Sequence, residues 1–216
     1  MISVPGRPDG PAPRLLEGLA GVSALETLVL STGSAPTWKE LDLLLAEWAG
    51  KPHGRLLVLG TLGAHRDARV PRLRALWRIE EKARATGRPV LALRLAPLVG
   101  PASPLWLRLR AAGALPRAER ALLQPVAEAD AVATLRAACA ATEEWAGWYD
   151  VAGPEAMTLE ELAALAGRCP SLPRGAGAWE PSPQELGEQR LCDDGPWRER
   201  FAITPRRVSE VAASWA

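Results

Sequence analysis

Short runs of consecutive apolar residues alternate with amphipathic stretches along the first half of this chain. Glu26-Thr-Leu-Val-Leu-Ser31 is an apolar run with a β-branched member that stops at Thr32, Gly33 and Ser34, which predicts a buried strand. Thr37 followed three residues later by Glu40 is a capping box. Leu41, Leu44, Leu45 and Trp48 then recur on one face, so a helix is expected over 37–49. Arg55 to Gly60 is a second run too short for a helix, and helical spacing returns over 71–86 through Leu73, Leu76, Ile79 and Ala83, with Gly87 as its stop. Pro89 to Leu95 is the third strand. Strands that are apolar on both faces and separated by helices predict a parallel sheet covered on both sides.

The pattern loosens beyond residue 100. A helix is expected over 128–141 with Val132, Leu135 and Cys139 inward, and a short strand from Gly147 to Gly153. Thr158 and Glu161 cap another helix through Leu159, Leu162 and Leu165. Arg168 to Trp197, rich in Pro and Gly, reads as an irregular excursion. Thr204-Pro205 then opens a last helix that buries Val208, Val211, Ala212 and Trp215.

Composition narrows the classes without choosing among them. The chain has 216 residues, 48% apolar and 24% charged, with a formal net charge of +1, the profile of a soluble globular protein rather than a disordered one. Cys139, Cys169 and Cys192 are odd in number and match neither a zinc knuckle nor a disulfide framework, so reduced thiols and a cytoplasmic location are expected. The opening residues lack the features of a signal peptide, and no apolar run nears the roughly 20 residues that span a bilayer. His53 and His65 have no metal-ligand spacing, so no metal is expected. The Arg-rich stretch 66–88 is balanced by Asp67, Glu80 and Glu81 and reads as a solvated helix face, not a nucleic-acid surface. Nine of the eleven aromatics are Trp. Trp38, Trp48 and Trp77 on the two early helices serve as core or as interface anchors.

Five segments, in order, carry a resemblance. They are Arg55-Leu-Leu-Val-Leu-Gly-Thr-Leu-Gly-Ala-His65, Glu80-Glu-Lys-Ala-Arg-Ala-Thr-Gly87, Pro89-Val-Leu-Ala-Leu-Arg-Leu-Ala-Pro-Leu-Val-Gly-Pro101, Gln124-Pro-Val-Ala-Glu-Ala-Asp130 and Trp148-Tyr-Asp-Val-Ala-Gly-Pro154, with Phe201-Ala-Ile-Thr-Pro205 as a further echo. Together they resemble the extended and atypical short-chain dehydrogenase/reductase superfamily, especially its NAD(P)-dependent epimerase/dehydratase and NmrA-like branches. The resemblance implies an α/β fold, a reduced Rossmann-like parallel sheet flanked by helices, with residues 1–153 as the degenerate NAD(P)-binding-type domain and 154–216 as a small C-terminal lobe.

Two of that family's devices do not appear. A dinucleotide loop needs glycines and free amides at a helix start. Here only Gly6 and Gly10 qualify, with Ala12 in the third place and Pro5, Pro8, Pro11 and Pro13 removing N–H groups. Matching Pro8-Asp9 and the Leu15 to Val22 stretch to the segment after that loop leaves the family's first two strands absent. The catalytic Tyr and the Lys four residues on fall at Arg72 and Leu76. The single tyrosine, Tyr149, is followed four residues later by Gly153. Thr61 occupies the family's catalytic Ser/Thr position.

These losses set the expectations: a non-catalytic relative with a binding, regulatory or assembly role and no bound cofactor. The alternative is an enzyme that uses NAD(P) in a reshaped crevice lined by Ser31, Thr32, Thr61, Leu98 and Val99, with Arg94 toward substrate or tied in a structural ion pair. A homodimer through helices 37–49 and 71–87, or another protein partner, is the expected assembly. A partner chain covering the sheet edge is a further reading.

Overall fold

A computed structural model of the chain describes residues 2–3, 15, 27–31, 38–51, 55–111, 115, 121–141, 145–167 and 181–215. A parallel β-sheet flanked by helices forms, as expected. Its strands are β1 (Ile2–Ser3), β2 (Thr27–Ser31), β3 (Arg55–Thr61), β4 (Val90–Leu95) and β7 (Gly147–Val151), hydrogen-bonded in the order β1-β2-β3-β4-β7. β1 pairs with β2 in parallel, Ile2 opposite Thr27, so a strand does precede Glu26. Two residues ahead of Pro5 are too few to show a period, which is why the sequence gives no sign of it. β2 and β3 run parallel with Ser31 opposite Leu59. A second, two-stranded parallel sheet joins β5 (Leu98–Val99) to β6 (Val126–Ala127).

Two compact units share the chain. One holds residues 1–94 and 132–149, the other 95–131 and 150–216. The chain leaves the first unit after Arg94, returns to it at Val132 and leaves it again after Tyr149.

In the first unit, α1 (Trp38–Ala49) and α2 (Pro71–Arg84) pack Leu41, Leu45, Trp48, Leu73, Leu76, Ile79 and Ala83 against Leu56 and Val58 of β3. Leu57 and Leu59, which a pleated strand turns to the opposite face, are equally buried. This two-sided burial explains the uninterrupted apolar run. Leu44 is only partly buried, and Thr37 lies outside the described residues.

Arginines close two helix ends at the N-terminal side of the sheet. Arg55 donates to the carbonyls of Cys139 (3.2 Å) and Ala141 (2.6 Å), at the end of α4 (Glu128–Ala140), and its guanidinium lies 4.0 Å over the Trp145 ring. Trp48 Nε1 donates to the Arg55 carbonyl and Trp145 Nε1 to that of Leu56. Arg88 likewise donates to the carbonyl of Ala49, the last residue of α1. These contacts satisfy terminal carbonyls that no helix can pair internally. Replacing Arg55 by Met, which keeps the stem but leaves those carbonyls orphaned, is expected to lower stability by about 1–3 kcal/mol in urea denaturation.

The second unit is built around Val99, Leu105, Trp106, Leu109, Leu123, Met157, Leu159, Leu162, Leu186 and Val208. It contains α3 (Pro104–Ala111), α5 (Leu159–Ala166), α6 (Pro183–Leu186), α7 (Gly195–Phe201), α8 (Val208–Val211) and a 3₁₀ turn over Ala212–Trp215. The Thr158/Glu161 capping box forms as read. The expected irregular excursion is partly helical: Ser182 and Glu185 make a second capping box with Pro183 in the first turn, and α7 follows. Residues 168–180 lie outside the described residues. The last helix starts at Val208, not Thr204, because Asp130 accepts from both the backbone N–H and Nε of Arg206 (2.8 Å each) and holds that segment extended. Among the described residues no helix is long and apolar enough to cross a membrane.

Candidate functional site

Parallel strands of a sheet covered by helices open their ligand crevices at their C-terminal ends. In the first unit Ser31 and Thr61 end the adjacent strands β2 and β3. Ser31 sits opposite Leu59, so Thr61 stands two residues, roughly 7 Å, further along the strand direction. Thr61 is half-buried. Thr32 lies outside the described residues, as does the proline-rich stretch 5–14.

The loop from Thr61 to Val70 is shaped locally. Gly63 takes a positive φ of 90°, and the Ala64 N–H donates to the Thr61 carbonyl at 3.0 Å, closing a turn directly beyond the strand. Asp67 N–H donates to His65 Nδ1, and Arg74 Nη1 donates back to the carbonyls of Ala68 and Arg69. The loop is thus tied to the first turn of α2. On that helix Arg72 is half-buried, while Leu76, at the position expected for the family's lysine, is 1% exposed in the core against β3. No ammonium group could occupy that place without being desolvated.

Beneath this rim lies a buried ion pair. Glu80 of α2 is fully buried, and Arg94 of β4 donates to it through Nε (3.1 and 3.0 Å to the two carboxylate oxygens) and Nη2 (2.6 Å). Gly60, the residue before Thr61, leaves the room. A Cβ there would sit 2.7 Å from Glu80 Oε1. Arg94, read from sequence as a substrate contact or an ion-pair anchor, turns this edge of its guanidinium to Glu80. Sequence reasoning placed Glu80 only in a charge balance, since no local signal shows that its carboxylate points inward.

The remaining candidates fall elsewhere. Leu98 and Val99 belong to the second unit, both buried, and Val99 is part of its core. Cys139 is buried as expected. The Cys192 thiol is pushed up to about 12, by burial first and then by the charges of Asp150, Asp194 and Asp193. It therefore stays protonated at neutral pH and is no nucleophile. The charges of the Arg-rich stretch meet nearby partners: Arg66 with Asp67, Lys82 with Asp42, and Arg84 with Glu81 and the face of Trp148. Among the described residues no group of three or more His, Cys, Asp or Glu side chains could hold a metal ion.

No family model matches the sequence, and no curated protein matches it. Solved structures do match the fold. One is MoeE5 in complex with UDP-glucose and NAD, at 16% identity and a TM-score of 0.66, covering 99% of this chain and 89% of that one. The Bordetella bronchiseptica enzyme WbmG in complex with NAD and UDP matches at 16% identity and a TM-score of 0.59, covering 88% and 72%. UDP-N-acetylglucosamine 4-epimerase from Bacillus cereus matches at 14% and 0.60, covering 88% and 79%. The chain therefore shares the fold of these solved proteins, a parallel sheet flanked by helices. The expectation of no cofactor is overturned: this architecture, over almost the whole chain, is one that houses NAD in solved complexes. Judging the cofactor from the prolines of residues 5–14 gave one loop too much weight against the rest of the sheet.

Proposed function

We propose that this chain is a dinucleotide-binding protein that takes a cofactor of the NAD(P) class at the C-terminal ends of β2 and β3, with Ser31 and Thr61 at the rim of that site. The observation that carries the proposal is the match of 99% of the chain to MoeE5 and 88% to WbmG, both solved with NAD. The paired parallel strand ends add to it, since they are where such a crevice opens. This is the reshaped-site alternative of the sequence reading.

We propose further that the site works without the family's tyrosine–lysine proton relay. The only tyrosine is in β7 and is followed four residues on by Gly153, while Leu76 is sealed in the core. A tyrosine needs a nearby positive charge to lower its pKa into a useful range. The residue at the tyrosine's expected place is Arg72, and a guanidinium is a poor proton shuttle. Purified protein incubated with NAD and UDP-glucose, or with NADH and aldehydes, should bind cofactor yet leave the nicotinamide absorbance unchanged. Turnover would show that another group moves the proton.

For assembly, the reading retained is a homodimer through α1 and α2. Its support is the exposure of Trp38 (42%) and Leu43 (64%) on α1. Leu43→Asp is expected to halve the mass measured by light scattering after size exclusion, and a wild-type chain that elutes as a monomer contradicts the dimer.

A further inference from the structure

The second unit carries a groove of about 670 Å³ whose residues take no part in the site above. One wall is the Pro154 to Met157 segment after β7. The other is the face of α5 that presents Glu161, Ala164 and Leu165, three and four residues apart, and Arg207 stands beside them. Met157 and Leu165 give the groove an apolar surface, and Leu165 is 37% exposed. The size is that of sites for small organic ligands, about 300–1,000 Å³.

The charges here are unequal in number. Arg207 lies 3.9 Å from Glu155 and 3.8 Å from Glu210, and Glu161 lines the opposite wall, so three carboxylates stand against one guanidinium. The two lining carboxylates differ in what they already hold. Glu155 uses both oxygens, Oε2 accepting from the Ser209 N–H (3.0 Å) and Oε1 from the Ser209 hydroxyl. Glu161 accepts the N–H (2.7 Å) and the hydroxyl (3.0 Å) of Thr158 through Oε2 alone, and among the described residues its Oε1 has no donor. The Thr158 backbone bond first, and then the hydroxyl, hold the Glu161 carboxyl below the usual range, so it is ionised at neutral pH. Nor does the positive end of α5 cancel this charge. Glu160 and Glu161 bring two carboxylates to its first turn, against about half a charge from the helix itself.

We propose that this groove binds a small amphipathic cation, a primary ammonium that donates to Glu161 Oε1 while its apolar body lies along Met157 and Leu165. An anion would face the surplus of carboxylates, and the one cationic partner it could use is already shared between Glu155 and Glu210. A neutral ligand would draw nothing from the surplus charge.

The test is isothermal titration of the full chain with octylammonium, octanol and octanoate at low ionic strength. Octylammonium should bind at millimolar concentration or below, octanol about fivefold more weakly, and octanoate more weakly still. Glu161→Gln removes the charge but keeps the helix start, because a glutamine side chain also closes a capping box. That variant should bind octylammonium about fivefold more weakly, the upper end of what an exposed ion pair supplies, with octanol unchanged. Leu165→Ser should weaken octylammonium and octanol alike, since it removes apolar surface from the wall that both would share. Octanol binding as tightly as octylammonium, a preference for octanoate, unchanged octylammonium affinity in Glu161→Gln or in Leu165→Ser, or no binding of octylammonium would each overturn the proposal.

Discussion

Gly153→Ala should leave the second unit unable to close. A Cβ on residue 153 would stand 2.0 Å from the carbonyl oxygen of Pro125 and 3.2 Å from its carbonyl carbon. Both obstacles are backbone, so no rotamer change relieves the clash. The two strands of chain that meet here are also laced together: Gln124 Nε2 donates to the Gly153 carbonyl at 2.9 Å, Leu123 and Met157 exchange both backbone bonds at 2.8 Å, and Cys192 N–H donates to Gln124 Oε1 at 3.0 Å. Separating them to admit a methyl group breaks several of these at once. The expected loss is about 4 kcal/mol or more, a large share of the 5–15 kcal/mol that holds a typical domain together. Gly187→Ala is the control. Its Cβ would meet only carbonyls at an ordinary 3.5 Å, and stability should stay within about 0.5 kcal/mol. Denaturation in urea decides the matter, and a Gly153→Ala protein with the wild-type midpoint contradicts the described approach of residues 125 and 153.

Glu80→Gln is the second large effect. It removes the charge that compensates a guanidinium only 16% exposed, and a buried pair broken on one side costs about 3–5 kcal/mol. Removing both partners is less harmful than removing one, because nothing charged is then stranded. The double variant Glu80→Gln with Arg94→Met should accordingly regain part of the loss, a coupling of about 1–3 kcal/mol in a double-mutant cycle. Simple additivity of the two single variants would mean that the pair is not an energetic unit. The consequence for function is positional. Glu80 sits on the helix that follows the Thr61 loop, and Gly60 passes directly over its carboxylate. Loss of the pair loosens the strand end that supports the proposed cofactor site.

Much of this architecture is legible in the residues because its strongest signals are local. Six successive buried residues in β3, the heptad-like spacing of α1 and α2, and the Thr158/Glu161 box each declare themselves within a few positions. What escaped was either too short or decided from afar. β1, β5 and β6 have two residues each, below any period. The Ser182/Glu185 box was readable in principle, but the Pro and Gly around it outweighed it. Thr204-Pro205 carries a helix-start signal that Asp130, 76 residues from Arg206 in sequence, overrides through hydrogen bonds. The same holds for the site. Ser31 and Thr61 could be placed at strand ends because strand ends are local features, whereas the Glu80–Arg94 pairing depends on tertiary placement.

The account rests on dinucleotide binding at the ends of β2 and β3, and a titration with NADH tests it most directly. Energy transfer from the chain's tryptophans to the bound nicotinamide reports binding without any need for turnover. The account predicts a saturable signal, a matching rise in melting temperature of the kind a native-state ligand must produce, and marked weakening by Thr61→Trp, which fills the rim. A flat titration with both NADH and NADPH at millimolar concentration would contradict it.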